Sequence, residues 1–355
     1  MSLAPQRENL PGTDRAVASS EALHGKPLEA EVLQGVLQLP GRLSLQHGGS
    51  LDQPCLGWRL AGRPGAPVIA ALGGISAHRR VFDADQPRAG WWSQIAGAGG
   101  ALDSNRVRVL GIDWLGGSGE STGPTAGGVF PSLSSYDQAQ VLFQLLDHLK
   151  IARLRAIVGA SYGGMVALAF AERYGERVEQ LLVISGADRA HPMATAWRCV
   201  QRHIVRLALA HGHPGDGMAL ARALAMATYR SPEEFAARFA QPPQLVDGRF
   251  VFAVEDYLSA RGRDYAAHHR AESFLCLSES IDLHAVDASR VAIPTTVVAV
   301  HEDQLVPIAD MRALAARLPR ARLCELSSRY GHDAFLKEAV LLQPLFESLY
   351  GVVPT

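Results

Sequence analysis

The chain has 355 residues, of which 48% are hydrophobic and 19% are charged. These values are typical of a globular protein with one large core and room for an inserted subdomain. A formal net charge of −1 provides no basic field, so we expect no nucleic-acid partner. No apolar run reaches the ~18 residues that a membrane span needs, so we also expect no membrane partner.

The cysteines and the first residues indicate the cellular setting. Cys55, Cys199, Cys276 and Cys324 are far apart and lack C-x-x-C spacing, which favours reduced thiols, a cytoplasmic location and no metal site. Residues 1–30 are polar, include prolines and lack the apolar core of a signal peptide. We predict a flexible N-terminal arm over this range.

Strand patterns come next along the chain. Residues 33–60 alternate around glycines, which predicts an antiparallel strand pair at a sheet edge. Buried-strand patterns then alternate with helical patterns, the strands at 67–72, 107–113, 156–158 and 180–184 and the helices at 135–149 and 164–173. This alternation predicts an α/β fold with a mostly parallel central sheet and helices on both faces.

The alternation stops between residues 188 and 287, where helical patterns follow one another without a convincing strand. We predict an inserted helical cap over 188–287 and a core made of 31–187 and 288–355. Within the second core segment the predicted elements are strands at 294–300 and 321–326, a helix at 310–318 and a closing helix at 334–350.

A small-x-Ser-x-small pentapeptide, Gly159-Ala160-Ser161-Tyr162-Gly163, lies between a predicted strand and a predicted helix. A serine on so tight a turn presents its hydroxyl outward, so Ser161 is a candidate nucleophile. A serine in a glycine-rich turn is more often only a turn former. The reading therefore depends on an acid and a histidine that follow in the order Ser, Asp, His.

Both partners follow at the ends of predicted strands. Asp303 comes after the strand at 294–300, and His332 comes after the strand at 321–326. Because carboxyl ends of parallel strands share one edge of the sheet, we expect both residues beside Ser161. His332 is the predicted general base and Asp303 the predicted orienting acid, with Glu302 as the alternative acid. Taken singly, the aspartate could be a helix cap and the histidine a loop residue.

Glycine-rich loops supply further candidates. The backbone N–H of Tyr162 and an N–H in the loop at Leu72 and Gly73 are the predicted oxyanion donors. An ordinary strand-to-helix turn is the alternative for the second loop. The glycine-rich loop at 114–124 lacks both nucleotide-binding patterns, so we interpret it as a structural loop that lines the site.

Further motifs extend over nearly all of the chain after residue 40. They are Gly90-Trp91-Trp92, Gly119-Glu120-Ser121-Thr122-Gly123-Pro124, Phe130-Pro131, Leu145-Leu146-Asp147, Gly163-Gly164-Met165, Thr228-Tyr229-Arg230-Ser231, Glu234-Phe235, Arg238-Phe239, Glu255-Asp256-Tyr257-Leu258 and Tyr330-Gly331-His332-Asp333-Ala334-Phe335-Leu336. With these motifs the chain resembles the homoserine O-acyltransferases of the α/β-hydrolase fold, which act in methionine biosynthesis.

The resemblance implies roles for residues and substrates. Ser161, Asp303 and His332 would form a catalytic triad, Arg230 would hold the carboxylate of L-homoserine and Asp333 its ammonium group. Acyl-CoA would be a co-substrate, with no bound cofactor, in a ping-pong reaction through an acyl-enzyme. A homodimer through the cap is also implied. A planar arginine and a carboxylate suit the two ends of a zwitterion, although a surface ion pair for Arg230 and a helix cap for Asp333 are the plain alternatives.

Two departures from the family pattern lie beside the expected acyl group. Tyr162 follows the serine where the family usually has methionine, and Leu72-Gly73-Gly74 replaces a Leu-Thr-Gly loop. The donor therefore stays open between acetyl-CoA and succinyl-CoA, and Arg79 or Arg80 either receives a succinyl carboxylate or faces solvent. A serine hydrolase of the same fold, O-acylation of L-serine and a non-catalytic binding protein are the alternative functions.

Overall fold

The fold is built on a central β-sheet. The computed structural model describes residues 30–83, 85–86 and 89–350, so the predicted arm lies outside the described residues except for its last residue. The strands are β1 (Glu31–Gln38), β2 (Arg42–Ser44), β3 (Ser50–Asp52), β4 (Cys55–Gly62), β5 (Val68–Leu72), β6 (Ala96–Gly97), β7 (Leu102–Asp103), β8 (Arg108–Ile112), β9 (Ala156–Ala160), β10 (Leu181–Ile184), β11 (Gln244–Val246), β12 (Arg249–Val251), β13 (Thr295–Val300) and β14 (Ala321–Leu326).

Eight of these strands form one sheet in the order β1-β4-β8-β5-β9-β10-β13-β14. Strand β4 is antiparallel to both of its neighbours, whereas β8, β5, β9, β10, β13 and β14 run parallel. The central strands β9 and β10 are buried along their whole length, as their runs of Ala, Ile, Val and Leu predict. The predicted mostly parallel sheet and its antiparallel edge pair are confirmed.

The described residues contain ten α-helices. They are α1 (Ser135–His148), α2 (Tyr162–Tyr174), α3 (Pro192–Ala210), α4 (Pro214–Tyr229), α5 (Pro232–Arg238), α6 (Ala253–His268), α7 (Ala271–Asp282), α8 (Ile308–Arg317), α9 (Ala334–Lys337) and α10 (Ala339–Glu347). Helix α1 begins at a capping box, in which Ser134 and Asp137 bond each other's backbone N–H. In the described part of the chain, no helix has the length and apolarity needed to cross a bilayer.

The segment between β10 and β13 contains helices α3 to α7 and one hairpin that the sequence analysis missed. Strands β11 and β12 pair antiparallel around Asp247 and Gly248, which both have positive φ angles of 51° and 77°. An Asp-Gly pair is the usual two-residue hairpin turn. The prediction of a segment without a convincing strand is therefore wrong. The two strands were missed because each has three mostly exposed residues and almost no apolar alternation.

The closing helix also differs from the prediction. Instead of one helix over 334–350, α9 and α10 are separated at Glu338, whose backbone leaves the helical region. Its carboxylate accepts a hydrogen bond of 2.6 Å from the Ser328 hydroxyl. The interruption thus ties the chain back to the loop that follows β14.

Candidate active site

Ser161 occupies a strained turn between β9 and α2. Its φ and ψ angles are 55° and −122°, a backbone region that a residue with a side chain rarely adopts and that functional sites retain. Only glycine fits nearby, because a Cβ on Gly159 would collide with the Gly163 carbonyl and a Cβ on Gly163 with the Leu72 carbonyl. The local sequence therefore folds into the turn that exposes the Ser161 hydroxyl.

Three side chains form a hydrogen-bonded chain at this turn. His332 Nε2 lies 2.8 Å from Ser161 Oγ, and His332 Nδ1 lies 2.7 Å from Asp303 Oδ2. The second carboxylate oxygen, Asp303 Oδ1, accepts bonds from the Leu305 and Val306 amides at 2.9 and 3.0 Å. Because Asp303 is fixed on both oxygens, it orients the ring so that Nε2 faces the serine hydroxyl.

The neighbouring carboxylate, Glu302, is directed elsewhere. It accepts a 2.7 Å hydrogen bond from the Ser328 amide, so the structure brings Asp303 and not Glu302 to the histidine. Burial disfavours protonation of His332, but the charge and hydrogen bond of Asp303, helped by Asp333, hold the pKa of its imidazole above the ordinary 6.5. The acid therefore stabilises the imidazolium that forms when the base takes a proton.

Two cavities meet at this site. The inner cavity, of about 170 Å³, is lined by Ser161 and His332 and by residues of α3, α4 and α7. The outer cavity, of about 1330 Å³, is lined by residues of α4, α5 and α6 and of the loops after β5 and β8. Arg222 and Asp333 line both, so the two cavities adjoin at these side chains.

Of the predicted oxyanion donors, one lines the inner cavity and two do not. Tyr162 lines the inner cavity together with Gly74 and Ile75, but Leu72 and Gly73 do not. The Gly73 carbonyl accepts a 2.9 Å bond from the Gly163 amide. Leu72 and Gly73 thus pack behind the turn, and the residues of that loop that line the inner cavity are Gly74, Ile75, Ser76 and Ala77.

Tyr162 connects the core to the cap. Its hydroxyl lies 2.6 Å from Ser280 Oγ on α7, and its ring meets Trp114 edge to face at 5.1 Å. Burial raises the pKa of its hydroxyl, so the group stays protonated at every working pH. This unusual neighbour of the nucleophile is a packing residue whose polar end is bonded to the cap.

A scan against family models matches residues 88–339 to the alpha/beta hydrolase fold family. The chain is 47% identical to the homoserine O-succinyltransferase of Xanthomonas campestris pv. campestris, over 83% of this chain and 78% of that protein. The chain belongs to the homoserine O-acyltransferase family. It is also 36% identical to the homoserine O-acetyltransferase of Thermus thermophilus, over 74% and 72% of the two chains.

Solved structures show the same fold for this homoserine O-acyltransferase family member. The crystal structure of homoserine O-acetyltransferase from Bacillus anthracis has a TM-score of 0.80 at 17% identity, over 92% of this chain and 99% of that one. Esterase E22 has a TM-score of 0.80 at 19% identity, over 90% and 100% of the two chains. At these identities the likeness concerns the fold, and the predicted α/β-hydrolase class is confirmed.

In this acyltransferase family member the two residues predicted for the zwitterion contact each other. Arg230 Nε lies 3.0 Å from Asp333 Oδ2, and Arg230 Nη1 lies 3.2 Å from Glu234 Oε2. Burial raises the pKa of Asp333 although Arg230, Arg222 and His332 oppose that shift. Both predicted residues therefore reach the cavities, but the charge of Arg230 is already balanced by two carboxylates.

Arg222 is the cation that sequence reasoning missed. Its guanidinium lies 5.1 Å from the Tyr229 ring centroid and 4.8 Å from that of Tyr265, and among the described residues no carboxylate lies within 4.0 Å of it. The Tyr229 ring is in turn 5.7 Å from the His332 ring. No sequence signal separates Arg222 from the other arginines of the cap helices.

Arg79 and Arg80, considered for an acyl carboxylate, line the outer cavity and not the inner one. Arg79 forms ion pairs with Glu120 and with Asp113, the latter at 3.7 Å, and Arg80 lies 3.4 Å from Asp83. Both arginines are thus paired with carboxylates away from Ser161.

Proposed function

We propose that this chain transfers an acyl group from acyl-CoA to the hydroxyl of L-homoserine through an acyl-enzyme on Ser161. The observation that carries the proposal is the hydrogen-bonded chain of Asp303, His332 and Ser161, beside a cavity that is also lined by the half-buried cation Arg222 and the buried carboxylate Asp333. Family membership supports homoserine as the acceptor, because the relatives that match are named for transfer to homoserine.

The first half-reaction forms the acyl-enzyme. The Ser161 hydroxyl gives its proton to His332 Nε2 as its oxygen attacks the thioester carbonyl. The oxyanion is held by the Tyr162 N–H at the start of α2 and by an N–H of the Gly74 and Ile75 loop. The C–S bond then breaks, and the CoA thiolate leaves with the proton from His332.

The second half-reaction regenerates the enzyme. The homoserine hydroxyl gives its proton to His332 Nε2 and attacks the Ser161 ester carbonyl. When that tetrahedral intermediate collapses, the serine oxygen leaves and recovers the proton from the imidazole. Water competes with homoserine for the acyl group, so the cap over the inner cavity is the proposed means of excluding it.

The proposed clamp for the amino acid consists of Arg222 for the carboxylate and Asp333 for the ammonium. Arg222 lacks a carboxylate partner in the described residues and lies beside Tyr229, near His332. Arg230, which the family resemblance suggested for the carboxylate, would act by holding Asp333 in position through their 3.0 Å contact. The charge of Arg230 is shared with Asp333 and Glu234, whereas that of Arg222 is available to a substrate carboxylate.

The outer cavity is the proposed site for the CoA part of the donor. Its wall carries eight arginines and lysines against five carboxylates, which suits the phosphate groups of CoA. The cytoplasmic location and the homodimer through the cap stay predictions from the cysteine pattern and from the resemblance.

The decisive experiment follows free CoA after the protein is mixed with acetyl-CoA or succinyl-CoA, with and without L-homoserine. We expect about one CoA per protein without an acceptor, then steady release and O-acylhomoserine by mass spectrometry once homoserine is added. L-serine in place of homoserine tests the other hydroxy amino acid acceptor.

Replacement of Ser161 by alanine is the matched control. The variant S161A should show no initial CoA release with either donor, a loss of at least about 10⁴-fold. Release from the wild type that is equally fast with and without homoserine would mean that water is the acceptor, and the protein would then be a hydrolase.

A further inference from the structure

Arg198 on helix α3 presents unused hydrogen-bond donors to the inner cavity. Its Nε and Nη2 atoms bond Asp282 Oδ1 at 2.8 and 2.6 Å, and Nη2 also reaches Thr195 Oγ1 at 3.4 Å. Nη1 has no acceptor among the described residues, and Arg198 lines the cavity. Nη1 carries two N–H groups, so the guanidinium has two unpaired hydrogen-bond donors on the side away from Asp282.

A second polar residue extends this wall. Gln201, one turn further along α3, lines the same cavity with only 5% of its surface exposed. Ser185 Oγ, also on the cavity wall, is buried without a partner. Arg198, Gln201 and Ser185 thus place polar side chains on the wall of the inner cavity, where they can meet a polar ligand.

The charge of this wall is positive. Arg198 and Arg202 share a single carboxylate, Asp282, which both contact at 2.6 Å. Burial favours the protonated form of Asp282, but the two arginines hold the pKa of its carboxyl below the ordinary value. Asp282 is therefore ionised, and the two arginines and this carboxylate together carry a net charge of +1. Around the whole cavity the described arginines are Arg189, Arg198 and Arg222, and the carboxylates are Asp310 and Asp333.

Arg198 lines the same inner cavity as Ser161 and His332. Its charge opposes protonation of His332. Arg222 lies on the Tyr229 and Asp333 side of the same cavity. The two cations can therefore serve two different anionic groups, one on the acceptor and one on the acyl chain.

We propose that Arg198, assisted by Gln201, binds a terminal carboxylate on the acyl group, so that the enzyme uses a dicarboxylic acyl donor, succinyl-CoA, in preference to acetyl-CoA. The inference rests on the proposed function and names its donor. The terminal carboxylate takes no part in bond making and pairs with the open Nη1 donors. A cavity of about 170 Å³ has room for the chain, since a cavity of roughly 150 Å³ holds benzene.

The test compares kcat/KM for succinyl-CoA, butyryl-CoA and acetyl-CoA in the wild type and in R198Q. Butyryl-CoA has the four-carbon chain without the charge. We expect the wild type to prefer succinyl-CoA over both, and R198Q to lose on the order of 10- to 100-fold with succinyl-CoA and less than about 3-fold with acetyl-CoA, as for a lost bond to a charged group.

R202Q is the matched control, because Arg202 shares Asp282 but does not line the inner cavity. It should keep the ratio of succinyl-CoA to acetyl-CoA turnover of the wild type. CoA release without homoserine isolates the donor step. If R198Q leaves this step unchanged with succinyl-CoA, Arg198 does not bind the acyl chain and the proposal is overturned.

The remaining outcomes separate the two proposals. A wild type that releases CoA from acetyl-CoA as fast as from succinyl-CoA, and transfers both acyl groups to homoserine, contradicts the donor assignment and leaves the proposed function standing. Equal use of butyryl-CoA and succinyl-CoA means that the cavity selects by size and also overturns it. No homoserine-dependent CoA release from any donor contradicts the proposed function itself.

Discussion

The two walls of the inner cavity differ in how their polar groups are satisfied. On the core side, Ser161, Asp303 and His332 bond one another or backbone amides at 2.7 to 3.0 Å. On the cap side, Arg198 and Arg222 keep donors that no described protein group accepts. Side chains that hydrogen-bond one another hold a fixed reaction geometry, whereas unpaired donors can bind a ligand. The comparison indicates that the core sets the chemistry and the cap sets the substrates.

The largest effect should come from the core wall. The variant D303N keeps the shape of the acid but removes its charge, so His332 loses the partner that selects its tautomer, and kcat should fall by about 10⁴-fold. E302Q is the matched control, because Glu302 bonds the Ser328 amide instead, and it should retain near wild-type turnover. Steady-state CoA release measures both, and an equal loss in the two variants would contradict the assignment of the acid.

The cap wall should show a smaller and more selective effect. In R222Q we expect the KM for homoserine to rise on the order of 10- to 100-fold, because a charge-assisted bond to the carboxylate is lost. CoA release before homoserine is added should be unchanged. A larger rise of this KM in R230Q than in R222Q would mean that Arg230, and not Arg222, binds the homoserine carboxylate.

The pH dependence tests whether the two walls influence each other. His332 must be neutral to take a proton, and its pKa is raised by Asp303, so kcat/KM for acyl-CoA should fall as the pH drops through a value above 6.5. Below that value the loss is about tenfold per pH unit. In R198Q the acid limb should move to still higher pH, because Arg198 opposes protonation. An acid limb below pH 6.5 in the wild type would contradict the proposed pairing.

The smallest effect concerns the contact that joins the walls. Y162F removes the hydroxyl that meets Ser280 Oγ at 2.6 Å, which should lower the free energy of unfolding by about 1 kcal/mol. Thermal or urea unfolding measures this change, with turnover as the functional control. A stability loss of several kcal/mol would mean that Tyr162 supports the turn itself and does more than connect core and cap.

The sequence predicted the site residues well where a local pattern is compatible with only one kind of structure. The turn at Ser161 was predictable because only small residues fit around it, and Asp303 and His332 because each follows the end of a predicted strand of the parallel sheet. Asp247-Gly248 carried a hairpin signal that was overlooked, since the flanking strands are short and exposed. Leu72 and Gly73 were one or two residues away from the part of the loop that lines the cavity.

The sequence alone determined the mostly parallel sheet, the candidate nucleophile, base and acid, and the family, because strand periodicity and tight turns depend on short stretches of residues. Only the tertiary structure decided which arginines matter. Arg198 and Arg222 lie on helices α3 and α4, and Arg230 directly follows α4; no local sequence signal shows which of them binds a substrate. Their difference is whether a carboxylate from a distant element, Asp282 or Asp333, leaves donors open toward the cavity. That property belongs to the packing of cap on core.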